Sequence, residues 1–226
     1  MPKSFGIMLY NDTNISRKYL IYQRRDSNAF IKLIRKLGND NPIQLAKDLT
    51  KDEKDRLNNY DFKKIWDDLF INHSCRSYNV EERRARANYN HLKNSGILDK
   101  IINEPESIDL AWSFPKGRID RRDDNEIECA LREFREETNM PTDDFDFSLH
   151  LDVYEYKVDE DYSFKFYPAT TQILHEIKYR KVNDRIRDTY ITDESNDLKW
   201  IEINEAEKYL KEPYLGFLKN LDSKLK

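Results

Sequence analysis

The chain has 226 residues, 36% of them charged and 38% hydrophobic, with a formal net charge of −4. That length allows one large domain, or a core domain carrying a sizeable insertion, and the 12% aromatic content argues against wholesale disorder. No apolar run approaches the ~20 residues that span a bilayer, and MPKSFGIMLYNDTN holds too short an apolar core for a secretory leader, so no membrane association is expected.

SFGIMLY and KYLIYQR flank the turn-like NDTN and read as the two strands of a hairpin. The period then changes. From Ala29 to about Glu104 the apolar residues recur at helical spacing: AFIKLIRKL runs to Gly38, DFKKIWDDLF follows, and VEERRARANYNHLKNSG closes on Gly96. Leu33, Leu37, Ile65, Trp66 and Leu69 are its expected core. DLAWSFPKG returns to strand character, and YSFKFYPATTQILHEI and DLKWIEI read as later strands. Asn204 with Glu207 marks a helix start, and YLGFLKNLDSKL makes a last amphipathic helix. The expected fold class is α/β, split in sequence: residues 1–26 and 105–226 form the core domain, and residues 27–104 an inserted all-helical domain.

Cys75 and Cys129 make neither a disulfide framework nor a zinc cluster, which suits a reducing cytoplasm. Two stretches are basic, RRARANYNHLK and KYRKVNDRIR. Each reads equally as a solvated surface or as a track for a phosphate backbone.

The segment PKGRIDRRDDNEIECALREFREETNM carries the most chemistry. Asn125 and Glu128 form a capping-box signature, so a helix is predicted from Glu126 through Glu137. At about 100° per residue, Ile127, Ala130, Leu131 and Phe134 fall on one side, while Glu126, Glu133, Glu136 and Glu137 gather beside them. Such like charges repel unless a cation sits among them. Carboxylate oxygens, with no histidine or cysteine placed to favour zinc, point to magnesium or manganese. On spacing alone a solvated acidic face remains the other reading.

Gly117, the pair Arg132 and Glu133, Phe134, the pair Glu136 and Glu137, and Met140 together resemble the signature of Nudix hydrolases, G-x5-E-x7-R-E-U-x-E-E-x-G-U with U apolar. The segment departs from it in three ways. The loop from Gly117 to Arg132 is one residue longer, Asp124 stands where the first glutamate belongs, and Asn139 replaces the second glycine. The resemblance implies an α/β/α sandwich with a mixed sheet. It also implies that Glu133, Glu136 and Glu137 bind Mg2+ or Mn2+, that Arg132 orients a glutamate, and that the ions activate water to cleave a diphosphate linkage.

SFPKGRID, with Lys116 and Gly117 as substrate contacts, is similar to the version of this box in mRNA-decapping members. So is Glu194 before Trp200, a position that implies a further metal ligand or general base. IYQRRDSNAF and the helical block resemble the decapping enzymes of large cytoplasmic DNA viruses, of the poxvirus and African swine fever virus type. The implied activity is hydrolysis of the 5′ cap of mRNA, releasing methylated guanosine diphosphate and 5′-monophosphate RNA, by a viral protein in the host cytoplasm. Arg25, Phe30, Tyr162 and Phe164 are then candidate cap contacts, the aromatics having the core as their alternative place. Arg83, Arg84, Arg86 and Lys93, with Lys178, Arg180 and Lys181 as a second bank, are candidate RNA contacts. The same residues leave open a pyrophosphohydrolase for diphosphoinositol polyphosphates or free dinucleotides, and a non-catalytic RNA-binding module. A homodimer is equally left open.

Overall fold

The computed structural model describes residues 3–12, 16–36, 38–70, 76–147, 151–157, 162–174, 177, 179–182, 185–188 and 195–225, with backbone alone at 76, 179–182 and 185–188. The chain forms two compact units, Met1–Arg24 with Ala111–Lys226, and Arg25–Leu110. Strands β1 (Lys3–Asp12) and β2 (Arg17–Arg24) are the antiparallel hairpin, with Tyr10 opposite Tyr19 and Asp12 opposite Arg17.

The second unit is helical: α1 (Asn28–Arg35), α2 (Pro42–Leu45), α3 (Lys51–Asn59), α4 (Phe62–Leu69), α5 (Arg76–Asn94) and α6 (Ile97–Ile102). Helix α1 stops short of Gly38 because Lys36 takes the left-handed conformation that ends a helix. Ser27 caps α1 by accepting the Phe30 N–H, and the Thr50 hydroxyl caps α3 by accepting the Glu53 N–H. The buried Glu53 carboxylate accepts the N–H of Ser27 at 2.5 Å and that of Thr50 at 2.8 Å, so one side chain ties the starts of both helices. Leu33, Ile65 and Trp66 lie in this unit's core with Phe30, Tyr89 and Leu92, whereas Leu69 is only partly buried. Leu37 lies outside the described residues.

The first unit continues with β3 (Trp112–Ser113), β4 (Lys116–Arg118), α7 (Glu126–Thr138), β5 (Tyr154–Lys157), β6 (Ser163–Thr170), β7 (Tyr179–Val182), β8 (Arg185–Asp188), β9 (Ser195–Ile201), α8 (Ala206–Tyr209) and α9 (Tyr214–Lys224). Its sheet is mixed: β1 runs parallel to β6 and antiparallel to β2 and β4. The segment after β9 differs from expectation, since Glu202 and Glu205 make the reciprocal cap and a 3-10 turn, Ile203–Glu205, precedes α8.

One feature of the pairing positions the site. A strand residue has only two edges, and Tyr22 pairs with Leu198 of β9 on one and Ser113 of β3 on the other. Tyr19 pairs with Ile201 of β9 and with Tyr10 of β1. Strands β1 and β2 therefore diverge away from their turn, and β3 and β4 fill the fork, β3 bonded to β2 and β4 to β1. The fit at β4 is close. A Cβ on Gly6 would fall 2.2 Å from the Pro115 carbonyl oxygen, so only glycine admits the strand there. Helix α7 packs on one face of the sheet against Phe5, Ile7, Leu20 and Leu198, and α8 and α9 cover the other, giving the α/β/α arrangement.

Candidate active site

Helix α7 begins at its Asn125 cap, whose side chain accepts the N–H groups of Ile127 and Glu128, both at 3.0 Å. Glu128 returns its bond one residue earlier than a capping box would, to the Asp124 N–H. The helix ends where Asn139 turns left-handed at φ 53°, a conformation asparagine tolerates nearly as well as the glycine it replaces.

The faces of α7 are rotated from the helical-wheel expectation. Cys129, Ala130, Phe134, Glu137 and Thr138 are buried, Leu131 is half-buried, and Ile127 is exposed. Glu126 stands apart from the other glutamates: its carboxylate accepts bonds from Lys165 and Tyr167 of β6. Glu137, expected on an exposed face, lies inside. Tyr22 donates its hydroxyl to Glu137 Oε1 at 2.7 Å, and the Lys116 backbone N–H donates to Oε2 at 2.8 Å. The two donors come from the two sides of the fork, β2 and β4.

Burial pushes the Glu137 carboxyl up to about 8, against the opposing pull of the Tyr22 bond and the charges of Lys116 and Arg24. Burial and the charge of Glu137 push the Tyr22 phenol well above its ordinary range, so it stays a donor. Burial lowers the Lys116 ammonium, which lies 5.8 Å and 6.0 Å from the ring centres of Phe164 and Tyr214.

Arg132 organises the rest. It donates to Glu133 Oε1 at 2.6 Å, to Glu136 Oε2 at 3.0 Å, and twice to Asp123 at 2.8 Å. These bonds hold the Asp123 carboxyl well below the usual carboxylate range. Asp123, and not Asp124, which the sequence reading put at the first glutamate of the signature, is the aspartate bonded to Arg132; Asp124 is exposed and donates its backbone N–H to Glu128. The spacing held the signal. Counted forward from Gly117, the signature's first carboxylate falls on residue 123, and the added residue lies in the stretch after it. Gly117 leaves room for the Glu133 carboxylate: a Cβ there would lie 1.9 Å from the Glu133 carboxyl carbon and displace that side chain.

The chemistry of these donors suits a hard divalent cation. Glu133, Glu136 and Glu137 present oxygens only, Glu133 fills the space an added Cβ at residue 117 would need, and Glu137 is a buried carboxylate that a cation would favour in its charged form. Among the described residues no group of three acidic, histidine or cysteine side chains is disposed to hold a metal ion, and Glu133 and Glu136 are both bonded to Arg132.

The other candidates separate. Phe30 is fully buried in the helical core beneath the Arg56 guanidinium, and Phe164 is buried and stacked on Tyr214 at 5.6 Å, so neither offers a face to a purine. Tyr162 is half-buried, with its hydroxyl on Ser4 and Arg118 near its ring. Arg25 belongs to the helical unit, where it pairs with Asp26 at 2.7 Å. Arg83, Arg84 and Lys93 are exposed on α5, whereas Arg86 is paired with Glu82 and lies over Phe62. Glu194 and Lys178 lie outside the described residues, as do the side chains of Arg180 and Lys181. Ser195, next to Glu194 in sequence, donates its hydroxyl to the Glu137 carbonyl. Sequence reading overlooked Tyr22, Asp123 and Ser195.

In comparisons with known proteins, residues 101–221 match the NUDIX domain. The chain is 27% identical over 137 residues to the mRNA-decapping protein g5R of African swine fever virus, covering 58% of this chain and 55% of that protein. It is 32% identical over 144 residues to a protein of Acanthamoeba polyphaga mimivirus named, provisionally, for mRNA decapping, covering 57% of this chain and 38% of that one. The chain thus spans about half the length, or less, of these curated relatives. Among solved structures, an Ap4A hydrolase of C. elegans covers 100% of this chain and 98% of its own length at a TM-score of 0.48 and 14% identity.

Proposed function

Since this chain belongs to the Nudix hydrolase family, we propose that it hydrolyses the 5′ cap of mRNA. Water adds to one phosphorus of the triphosphate bridge and a phosphoanhydride P–O bond breaks, leaving methylated guanosine diphosphate and an RNA that ends in 5′-monophosphate. The observation that carries this reading is the similarity to viral decapping proteins, together with Glu133, Glu136 and Glu137 of the box on α7.

Family members use divalent ions, and Glu133, Glu136 and Glu137 would hold Mg2+ or Mn2+ here. When bound, the ions neutralise phosphate charge and acidify water. The chain's own residues do the rest. Arg132 orients Glu133 and Glu136, Gly117 leaves room for Glu133, and Tyr22 with the Lys116 N–H holds Glu137. Glu194 is proposed as a further ligand or general base, by its place before Trp200. Lys116 supplies a cation for substrate phosphate.

Residues Arg25–Leu110 are proposed as an RNA-binding domain, with exposed Arg83, Arg84 and Lys93 along the RNA phosphates. Among the described residues no helix is long and apolar enough to cross a membrane. The proposed setting is the host cytoplasm of a viral infection.

The test is RNA labelled in its cap, incubated with the protein and Mg2+ or Mn2+ and scored for the released nucleotide, with Glu137→Gln as the inactive control. Release of labelled methylated guanosine diphosphate supports the reading. Cleavage of free dinucleotides or diphosphoinositol polyphosphates with capped RNA left intact makes it a small-molecule pyrophosphohydrolase. Binding of RNA with no cleavage of any of these makes it a non-catalytic module.

A further inference from the structure

We infer that Tyr22 is a positioning residue of the reaction, its hydroxyl holding the Glu137 carboxylate in the orientation that binds a divalent cation. The inference rests on the reading of Glu137 as a metal-binding group. Tyr22 lies in β2, ahead of the helical unit and outside residues 101–221, so the box helix is completed by a strand separated from it by the whole insertion.

Three observations carry the role. The Tyr22 ring is 1% exposed and its backbone is paired on both edges, which leaves the hydroxyl little freedom. The Lys116 N–H binds the other carboxylate oxygen, so donors from both sides of the fork together fix the orientation of the carboxylate. Finally, a phenol is neutral. It orients Glu137 without cancelling its charge, in contrast to the guanidinium of Arg132, which neutralises Glu133 and Glu136 where it meets them.

A matched control lies on the same strand. Tyr19 is equally buried and also donates at 2.7 Å to a carboxylate, that of Asp222, but on the sheet face opposite α7. Mn2+ binding to the full chain without RNA, read from the free-ion electron paramagnetic resonance signal, would be compared for wild type, Tyr22→Phe, Tyr19→Phe and Glu137→Gln, with thermal unfolding in parallel. Loss of a group that orients a metal ligand typically weakens metal affinity by about tenfold or more. Tyr22→Phe is expected to show that loss and Tyr19→Phe wild-type affinity. In single turnover, excess Mn2+ should restore the Tyr22→Phe rate, and in a Glu137→Gln background Tyr22→Phe should change nothing further.

Wild-type affinity in Tyr22→Phe, or equal weakening by both phenylalanine variants, overturns the inference. Wild-type affinity in Glu137→Gln overturns instead the reading of Glu137 on which it rests. Should Tyr22→Phe not fold, wild-type protein carrying 13Cζ-tyrosine decides: Mg2+ shifts the Tyr22 resonance and leaves that of Tyr19, and an unmoved Tyr22 resonance overturns the inference.

Discussion

Gly117 and Glu133 adjoin so closely that a Cβ on residue 117 would lie 1.9 Å from the Glu133 carboxyl carbon. The obstructing atoms are the far end of a flexible side chain, so the cheapest relief is for Glu133 to swing away. Gly117→Ala should therefore keep its melting temperature within a few degrees of wild type while hydrolysis falls by about tenfold or more, in line with the displacement of a metal ligand. Calorimetry and a cap-release assay on one preparation check this. Unfolding together with inactivity would place the role of Gly117 in folding.

The two neighbouring aspartates should differ. Asp123 shares two 2.8 Å bonds with Arg132, and its side chain is 2% exposed, whereas Asp124 is open to solvent. Asp123→Asn should destabilise the protein by about 1–2 kcal/mol, after allowing for the solvent that reaches the loop. It should also lower turnover, because Arg132 is then free to draw harder on Glu133 and Glu136. Asp124→Asn should leave both unchanged. Urea denaturation and initial rates measure the pair, and equal effects would contradict the assignment.

In the helical unit the stability is expected to depend on pH through Asp26. Burial alone would raise its carboxyl, but the charges of Arg25 and Arg56 outweigh burial and hold it below the ordinary value of ~3.9. A depressed carboxyl contributes stability that is complete above the unfolded value and is lost as pH falls through the folded one. Asp26→Asn, which leaves Arg56 buried without that partner, should cost about 3 kcal/mol at pH 7. The gap from wild type should shrink below about pH 4, as the wild-type carboxyl also becomes protonated. Burial raises Glu53, which gives the opposite dependence, and the charge of Asp26 adds to that rise, so Asp26→Asn also weakens the opposing contribution of Glu53. A gap independent of pH, by urea denaturation at pH 7 and pH 3, would rule Asp26 out.

The candidate RNA-binding arginines of α5, Arg83, Arg84 and Arg86, are not equivalent. Arg83 and Arg84 are exposed, while Arg86 is occupied by Glu82 and by the face of Phe62. If the exposed pair follows RNA, the double alanine variant should reduce the slope of log affinity against log salt by about 0.7 per contact removed from a single strand. Hydrolysis of a free cap dinucleotide should stay unchanged. Arg86→Ala is expected to lower stability more than it alters the slope. Filter binding across a salt series resolves this, and identical slopes for wild type and the double variant would remove Arg83 and Arg84 from the RNA path.

What the sequence determined by itself is what depends on a few neighbouring residues. Asn125 caps α7 through N–H groups two and three residues away, Asn139 ends it by its own backbone preference, and the alternation of the hairpin strands needs only period two. The residue spacing from Gly117 to Met140 likewise carried the family resemblance without any tertiary contact. The remaining features depend on which surfaces meet. Helical spacing groups Ile127 with Phe134, yet α7 packs so that Ile127 is exposed and Glu137 is buried, where it meets donors from β2 and β4. Phe30 and Phe164 look the same in sequence as aromatics that stack on a base; the rings and helices packed around them make them core. Tyr22 lies 115 residues from the glutamate it holds, and no local pattern encodes a hydrogen bond made by strand pairing across an inserted unit.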